Sequence, residues 1–210
     1  MMWVVLALAA SADLVDVAKL DARFRIDVKY ATTDNFTGKK LYPVGRCVLR
    51  REVASGAQKA QAHLDAQHPG YVLLFKDCYR PVHVQLIMWE VVKGTAMQSY
   101  VANPHSKTGS VHNYGAAVDL TLAGPDGSEV DMGTPYDHLG ILSEPRHEER
   151  FVKEGKLTAA QVQNRRRLRD AMLAGGFKTI PNEWWHFDWL QGAELRARFE
   201  KLDVALDAVP

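Results

Sequence analysis

Tyr71-Val72-Leu73-Leu74-Phe75-Lys76-Asp77-Cys78-Tyr79-Arg80-Pro81 joins a continuous apolar run of strand length to a cluster of polar and reactive side chains. An uninterrupted run of this kind reads as a strand covered on both faces, hence central in its sheet. Its end delivers Asp77, Cys78, Tyr79 and Arg80, and Pro81 suits the first turn of a helix running to about Lys93. On the other side, residues 50–67 are rich in Ala, Gln and Leu and read as a helix stopped by His68-Pro69-Gly70.

Further out the pattern continues without strict alternation of strand and helix. Phe24-Arg25-Ile26-Asp27-Val28-Lys29-Tyr30 alternates apolar and polar side chains and predicts a half-buried strand, with a loop at Thr33-Asp34-Asn35 and Gly38. Ala116-Ala117-Val118-Asp119-Leu120-Thr121-Leu122 predicts another strand, stopped by Gly124-Pro125-Asp126-Gly127. Residues 143–157 read as charged and irregular. Thr158 suits the N-cap of a long helix to about Ala174, closed by Gly175-Gly176. Trp184 to Trp189 predicts a last strand, and a short helix follows from about Gly192. Irregular alternation points to an α+β fold: one domain, with a central, mainly antiparallel sheet flanked by helices and a cleft for the site.

The chain of 210 residues is long enough to bury roughly 70% of its unfolded surface in a single core. With 47% hydrophobic and 24% charged residues, disordered and fibrous classes are excluded. A formal net charge of +1 offers no global field to recruit nucleic acid or an anionic membrane. The one basic run, Arg165-Arg166-Arg167 with Arg169, reads as a solvated helix face.

Residues 1–12 form a short apolar stretch ending in Ala10-Ser11-Ala12. It reads as a secretory signal cut after Ala12, leaving residues 13–210 as the mature domain, or as an apolar N-terminus or misassigned start. It lacks an initial Lys or Arg and is too short to span a bilayer. The first alternative places the protein in the periplasm or outside the cell, the second in the cytoplasm. Cys47 and Cys78 follow the same fork, a disulfide after export or two buried thiols otherwise.

The chemistry sits in two segments. Ser110-Val111-His112 and the strand carrying Asp119 put a His and an Asp seven residues apart; Glu183-Trp184-Trp185-His186 puts a Glu and a His three apart. A hydrolytic zinc site needs three protein ligands, chiefly imidazole and carboxylate, and an open position for water. His112, Asp119 and His186 supply that set, and Glu183 is near enough in sequence to a ligand to act as base. Arg80, at a strand end, is a candidate for stabilising an oxyanion, or an ion-pair partner of Asp77. His63, His68, His83, His105, His138 and His147 read as ordinary histidines, although His105 and His138 lie near the site segments.

The pattern Ser-x-His-x6-Asp followed by Glu-x-Trp-His resembles the zinc D,D-peptidases, and within them the D-alanyl-D-alanine dipeptidases. Asp27 to Thr32, Asp34 to Gly38, Asp77 to Pro81, Met132-Gly133-Thr134-Pro135-Tyr136-Asp137 and Gln163 to Leu168 extend the resemblance from about residue 24 to about residue 190. It implies one zinc ion per chain on His112, Asp119 and His186, Glu183 as base and Arg80 as the transition-state arginine. It also implies Ser110, Tyr30 and Asp137 as lining residues of a dipeptide pocket, Asp137 otherwise being a turn cap after Pro135. The implied reaction is hydrolysis of free D-Ala-D-Ala. The alternatives are a zinc D,D-carboxypeptidase or endopeptidase acting on wall peptides, and an inactive zinc-binding module of the same fold.

Overall fold

The computed structural model describes residues 13–209; the apolar stretch 1–12 and its signal-peptide reading lie outside the described residues. The 72–77 run is indeed a central element. Strand β4 (Val72–Asp77) lies between β2 (Arg25–Ile26) and β5 (Ala117–Ala123) in a five-stranded sheet ordered β2-β4-β5-β7-β6. The remaining strands are β6 (Lys178–Thr179) and β7 (His186–Asp188). Only the β2–β4 pair is parallel; β4–β5, β5–β7 and β6–β7 are antiparallel, as expected. Every residue of β5 is buried, because the sheet is covered on both sides there.

A small second sheet pairs β1 (Leu14–Asp16) with β3 (Val48–Arg50). Helix α1 (Arg51–Gln67) follows β3 directly and buries Val53, Ala57, Ala60 and Leu64, one stripe at helical spacing. Its buried Gln61 accepts from the Leu73 N–H at 2.9 Å and donates to the Tyr71 carbonyl at 3.0 Å, tying the helix to the start of β4. Helix α2 (Val82–Val92) starts behind Pro81 as predicted. After α3 (Glu148–Lys153), helix α4 (Ala159–Ala174) begins with a reciprocal cap: the Gln161 N–H donates to Thr158 Oγ1 at 3.2 Å and the Thr158 N–H to Gln161 Oε1 at 2.8 Å. Helix α5 (Gly192–Arg198) closes the set. Among the described residues no helix is long and apolar enough to cross a membrane.

Three expectations need correction. The predicted strand over 24–30 is two residues long and gives way to a 3-10 turn at Lys29–Ala31. There the Asn35 amide donates to the carbonyls of Lys29, Thr32 and Lys39, and these local bonds displace a sheet ladder. Residues 143–157 are not irregular throughout: α3 folds onto α4 through the Phe151, Leu157 and Val162 cluster. Arg165, read as part of a solvated face, is only 1% exposed. Its neighbours behave differently, since Arg166 is exposed and Arg169 pairs with Glu148 at 2.7 Å.

Candidate active site

The sheet register assembles residues far apart in sequence. Asp119 on β5 lies directly opposite His186 on β7, and on its other side opposite Asp77 at the end of β4. A β-bulge between Phe75 and Asp77 shifts the β4 register just before that row. His112 comes from outside the sheet, on a 3-10 turn (Val111–Tyr114) that ends at Gly115. Gly115 has φ +67, and a Cβ there would lie 2.9 Å from Leu14 Cδ2, so the turn closes only with glycine. The Arg80 N–H donates to the His112 carbonyl at 3.1 Å, locking this turn to the exit of β4.

His112 Nε2, His186 Nδ1 and Asp119 Oδ1 are mutually 2.9–3.2 Å apart. Ligand bonds of 2.0–2.1 Å in a tetrahedral site put neighbouring ligand atoms about 3.3 Å apart, so the trio has metal-site dimensions. The far side of each ring fixes its tautomer. His112 Nδ1–H donates to the Cys78 carbonyl at 2.6 Å, and His186 Nε2–H donates to Asp188 Oδ1 at 2.8 Å. With those tautomers each ring can turn a lone pair toward the Asp119 oxygen, the arrangement by which a cation is held. The residues fit a divalent metal, and among the described residues this is the one His/Cys/Asp/Glu group with such proximity.

The field at the trio agrees. Burial pushes the Asp119 carboxyl up, but the imidazoles of His112 and His186 outweigh it and hold the group well below the usual range. Burial opposes charge on His186, yet Asp188 and Asp119 raise it well above an ordinary histidine. Asp119 Oδ2 points away from the trio, accepting from the Tyr136 hydroxyl at 3.1 Å, with Arg80 Nη2 at 3.6 Å.

Glu183 lies beside the trio, its Oε2 4.0 Å from His186 Nδ1. Burial raises its carboxyl to about 8, partly opposed by His186 and Arg80. Arg80 is buried, and the two readings of it coexist. Its guanidinium is held by Asp77 at 2.6 and 3.0 Å and by Gln85 Oε1 at 2.8 Å, yet it lines the cavity and lies over the Tyr30 ring, 5.3 Å from the centroid. Asp77 is itself fixed by the Tyr42 hydroxyl at 2.8 Å.

Asp137 does not cap the turn after Pro135. The side-chain cap in this stretch lies earlier, where Asp131 accepts from the Gly133 N–H at 2.8 Å. Asp137 instead accepts from the Tyr30 hydroxyl at 3.1 Å on Oδ1, while its buried Oδ2 has no partner. Burial, then the nearby Asp119 charge, push this carboxyl well above its ordinary value. All eight candidates, Tyr30, Arg80, Ser110, His112, Asp119, Asp137, Glu183 and His186, line one cavity of about 250 Å³. The remaining histidines stay outside the trio; His83 pairs with Asp203 at the surface and His147 with the buried Glu144.

A family described as D-ala-D-ala dipeptidase matches residues 10–205 of this sequence. The chain belongs to the D-Ala-D-Ala dipeptidase family. It is 34% identical to a D-alanyl-D-alanine dipeptidase of Escherichia coli over 183 residues, 87% of this chain and 88% of that one. It is 36% identical to one from Enterococcus faecium, across 78% of this chain and 84% of the relative, and 32% identical to one from Streptomyces coelicolor, across 84% and 91%. As a member of this family the chain is a peptidase. The residues around its trio include several that the motifs alone did not reveal: Asp188 behind His186, Tyr136 behind Asp119, and Gln85 behind Arg80. Asp188 had a legible signal, because residues two apart on a strand share a face.

Proposed function

We propose that the protein is a zinc-dependent dipeptidase that hydrolyses free D-alanyl-D-alanine to two D-alanines. The observation that carries this reading is the unpaired, buried Oδ2 of Asp137 in the same small cavity as the trio, Glu183 and Arg80. A volume of about 250 Å³ lies below the range of sites for drug-sized ligands and suits a very small substrate. A dipeptide differs from a longer chain in carrying an ammonium beside the scissile bond. Asp137 offers that ammonium an oxygen with nothing else to bind, and the ammonium favours ionisation of this raised carboxyl, whereas an acylated nitrogen leaves the buried oxygen unsatisfied. The same argument disfavours wall peptides as substrates.

His112, Asp119 and His186 would hold the zinc ion, an N/O donor set that zinc accepts readily. When bound, the ion supplies Lewis acidity toward the scissile carbonyl and toward water. Glu183 takes the proton of the attacking water and returns it to the departing amine; burial raises this carboxyl, and a cation held by the trio would draw it back toward the ionised form that a base needs. Arg80 donates to the oxygen that gains charge, pre-positioned by Asp77 and Gln85. Tyr30 steadies Asp137 through its Oδ1, and Ser110 lines the pocket.

The Cys47–Cys78 disulfide, with Cα atoms 5.2 Å apart, supports an oxidising compartment. We accordingly propose export, with residues 13–210 as the mature domain; an intact mass beginning at Asp13 tests it. The function is tested by metal analysis of purified protein together with kinetics on D-Ala-D-Ala, L-Ala-L-Ala and an N-acylated tripeptide. Stoichiometric zinc and turnover of the first substrate alone are expected. Preference for the blocked tripeptide would replace the reading with a carboxypeptidase.

A further inference from the structure

Arg165 is a fully charged side chain held almost entirely by backbone. Its Nε donates to the Met132 carbonyl at 2.7 Å and its Nη1 to the Leu142 carbonyl at 3.2 Å, with Nη2 3.5 Å from Thr134 Oγ1. The nearest carboxylate oxygen, Glu148 Oε1, is 3.8 Å away and bonds Arg169 at 2.7 Å. Met132 and Leu142 are the two ends of the segment that carries Tyr136 and Asp137. One guanidinium on α4 therefore closes that segment into a loop, a task for a planar fork with several donors that a lysine ammonium cannot span.

The rest of the segment is fastened to the same place. Trp184 Nε1 donates to Thr134 Oγ1 at 2.8 Å, Thr134 Oγ1 lies 3.3 Å from Ser143 Oγ, and Ser143 Oγ donates to the His138 carbonyl at 2.7 Å. Arg165 also stacks over the Trp184 ring, 5.7 Å from its centroid. Gly133 sits so close to the α4 side that a Cβ would fall 2.4 Å from Leu157 Cδ2. Within this loop Asp137 adopts φ +61, the left-handed region, and it is the one non-glycine among the described residues to do so. Such a conformation persists only where the surroundings over-determine it. A buried clamp at both ends of the loop supplies that determination, and no part of it touches the cavity itself.

We propose that Arg165 is a positioning residue that holds Asp137 in its substrate-facing conformation, and so enforces the requirement for an unblocked amino terminus. The proposal rests on the dipeptidase reading of the cavity. Its effect falls mainly on recognition: Asp119 and Arg80 are anchored by β5 and the end of β4, and the fork reaches the trio and Glu183 only indirectly, through Tyr136 behind Asp119 and Trp184 beside Glu183.

The test measures zinc content, kcat and KM for Arg165→Lys, Arg165→Met, Asp137→Asn and the Arg165→Lys/Asp137→Asn double variant, on D-Ala-D-Ala and on its N-acetyl derivative. Losing one charged hydrogen bond corresponds to a change of roughly tenfold or more. Arg165→Lys is expected to raise KM for the free dipeptide by about that factor, with zinc content, kcat and the far slower residual rate on the N-acetyl substrate retained. In the Asp137→Asn background the same change is expected to add less than about twofold, because both act through one contact. Equal losses on both substrates, or losses that multiply in the double variant, overturn the proposal. If Arg165→Met does not fold, Arg165→Lys and Thr134→Val carry the comparison alone. Should the wild type cleave neither substrate, the dipeptidase reading fails by itself. The clamp is then judged by hydrogen exchange across residues 132–142, faster in Arg165→Lys if it holds the loop and unchanged if it does not.

Discussion

His186 and Asp188 stand two residues apart on β7, and the imidazole Nε2–H donates to the Asp188 carboxylate at 2.8 Å. Gln191 holds the other Asp188 oxygen at 2.8 Å, so the acceptor is itself fixed. Removing such an outer partner typically lowers metal affinity by about 10–100-fold without removing a ligand. Asp188→Ala is expected to do this while leaving the fold intact by circular dichroism. Unchanged zinc affinity in a competition titration would show that His186 needs no orienting carboxylate.

For the trio itself, replacing His112, Asp119 or His186 with Ala is expected to abolish zinc occupancy and activity together. Purified His112→Ala protein that keeps one zinc and near-normal turnover would overturn the ligand assignment.

Glu183 is expected to separate metal from catalysis. Glu183→Gln should keep its zinc and lose on the order of 10²–10⁴-fold in kcat. Loss of the metal instead would make Glu183 a ligand.

The same carboxyl has a signature in chelator-treated protein. Burial raises it from 4.5 to about 8, so between these values the folded chain retains a proton that the unfolded chain has released. Its contribution to stability is full below the unfolded value and is lost as pH rises through about 8. Relative to wild type, the Tm of Glu183→Gln should therefore climb as pH is raised from 5 to 9. A pH-independent difference between the two proteins would refute the buried, raised carboxyl.

Arg80→Ala should act mainly on kcat, by about 10²–10³-fold, since its donor serves charge that develops in the transition state. A change confined to KM would reassign it to ground-state binding.

Much of this site was readable because its chemistry is local in the chain. Ser110 to Asp119 and Glu183 to His186 each carry ligand-type residues at short spacing, and Thr158 with Gln161 announces its helix start in the same way. What was not readable depends on partners without side-chain identity. Nothing near Arg165 in sequence distinguishes it from Arg166; it is buried because two carbonyls more than twenty residues upstream happen to face it. Likewise no local signal places Asp77, Asp119 and His186 in one row, since strand register is settled by pairings across the chain. The strand misread at 24–30 shows the reverse case, where correct alternation lost to the side-chain bonds of Asn35.

Cys78 serves the centre with two different atoms: its sulfur is bonded to Cys47, and its carbonyl accepts the His112 Nδ1–H. On the next residue, the Tyr79 N–H is bound to the Val48 carbonyl beside Cys47, so crosslink and hydrogen bond reinforce one another there. Ancestry should record this dual service. A lineage moved to a reducing compartment gains nothing from either thiol alone, and a single unpaired one is a liability to oxidation. Across homologues, cysteines at these two positions are expected to be gained and lost as a pair, tracking the cellular address of each enzyme rather than its substrate.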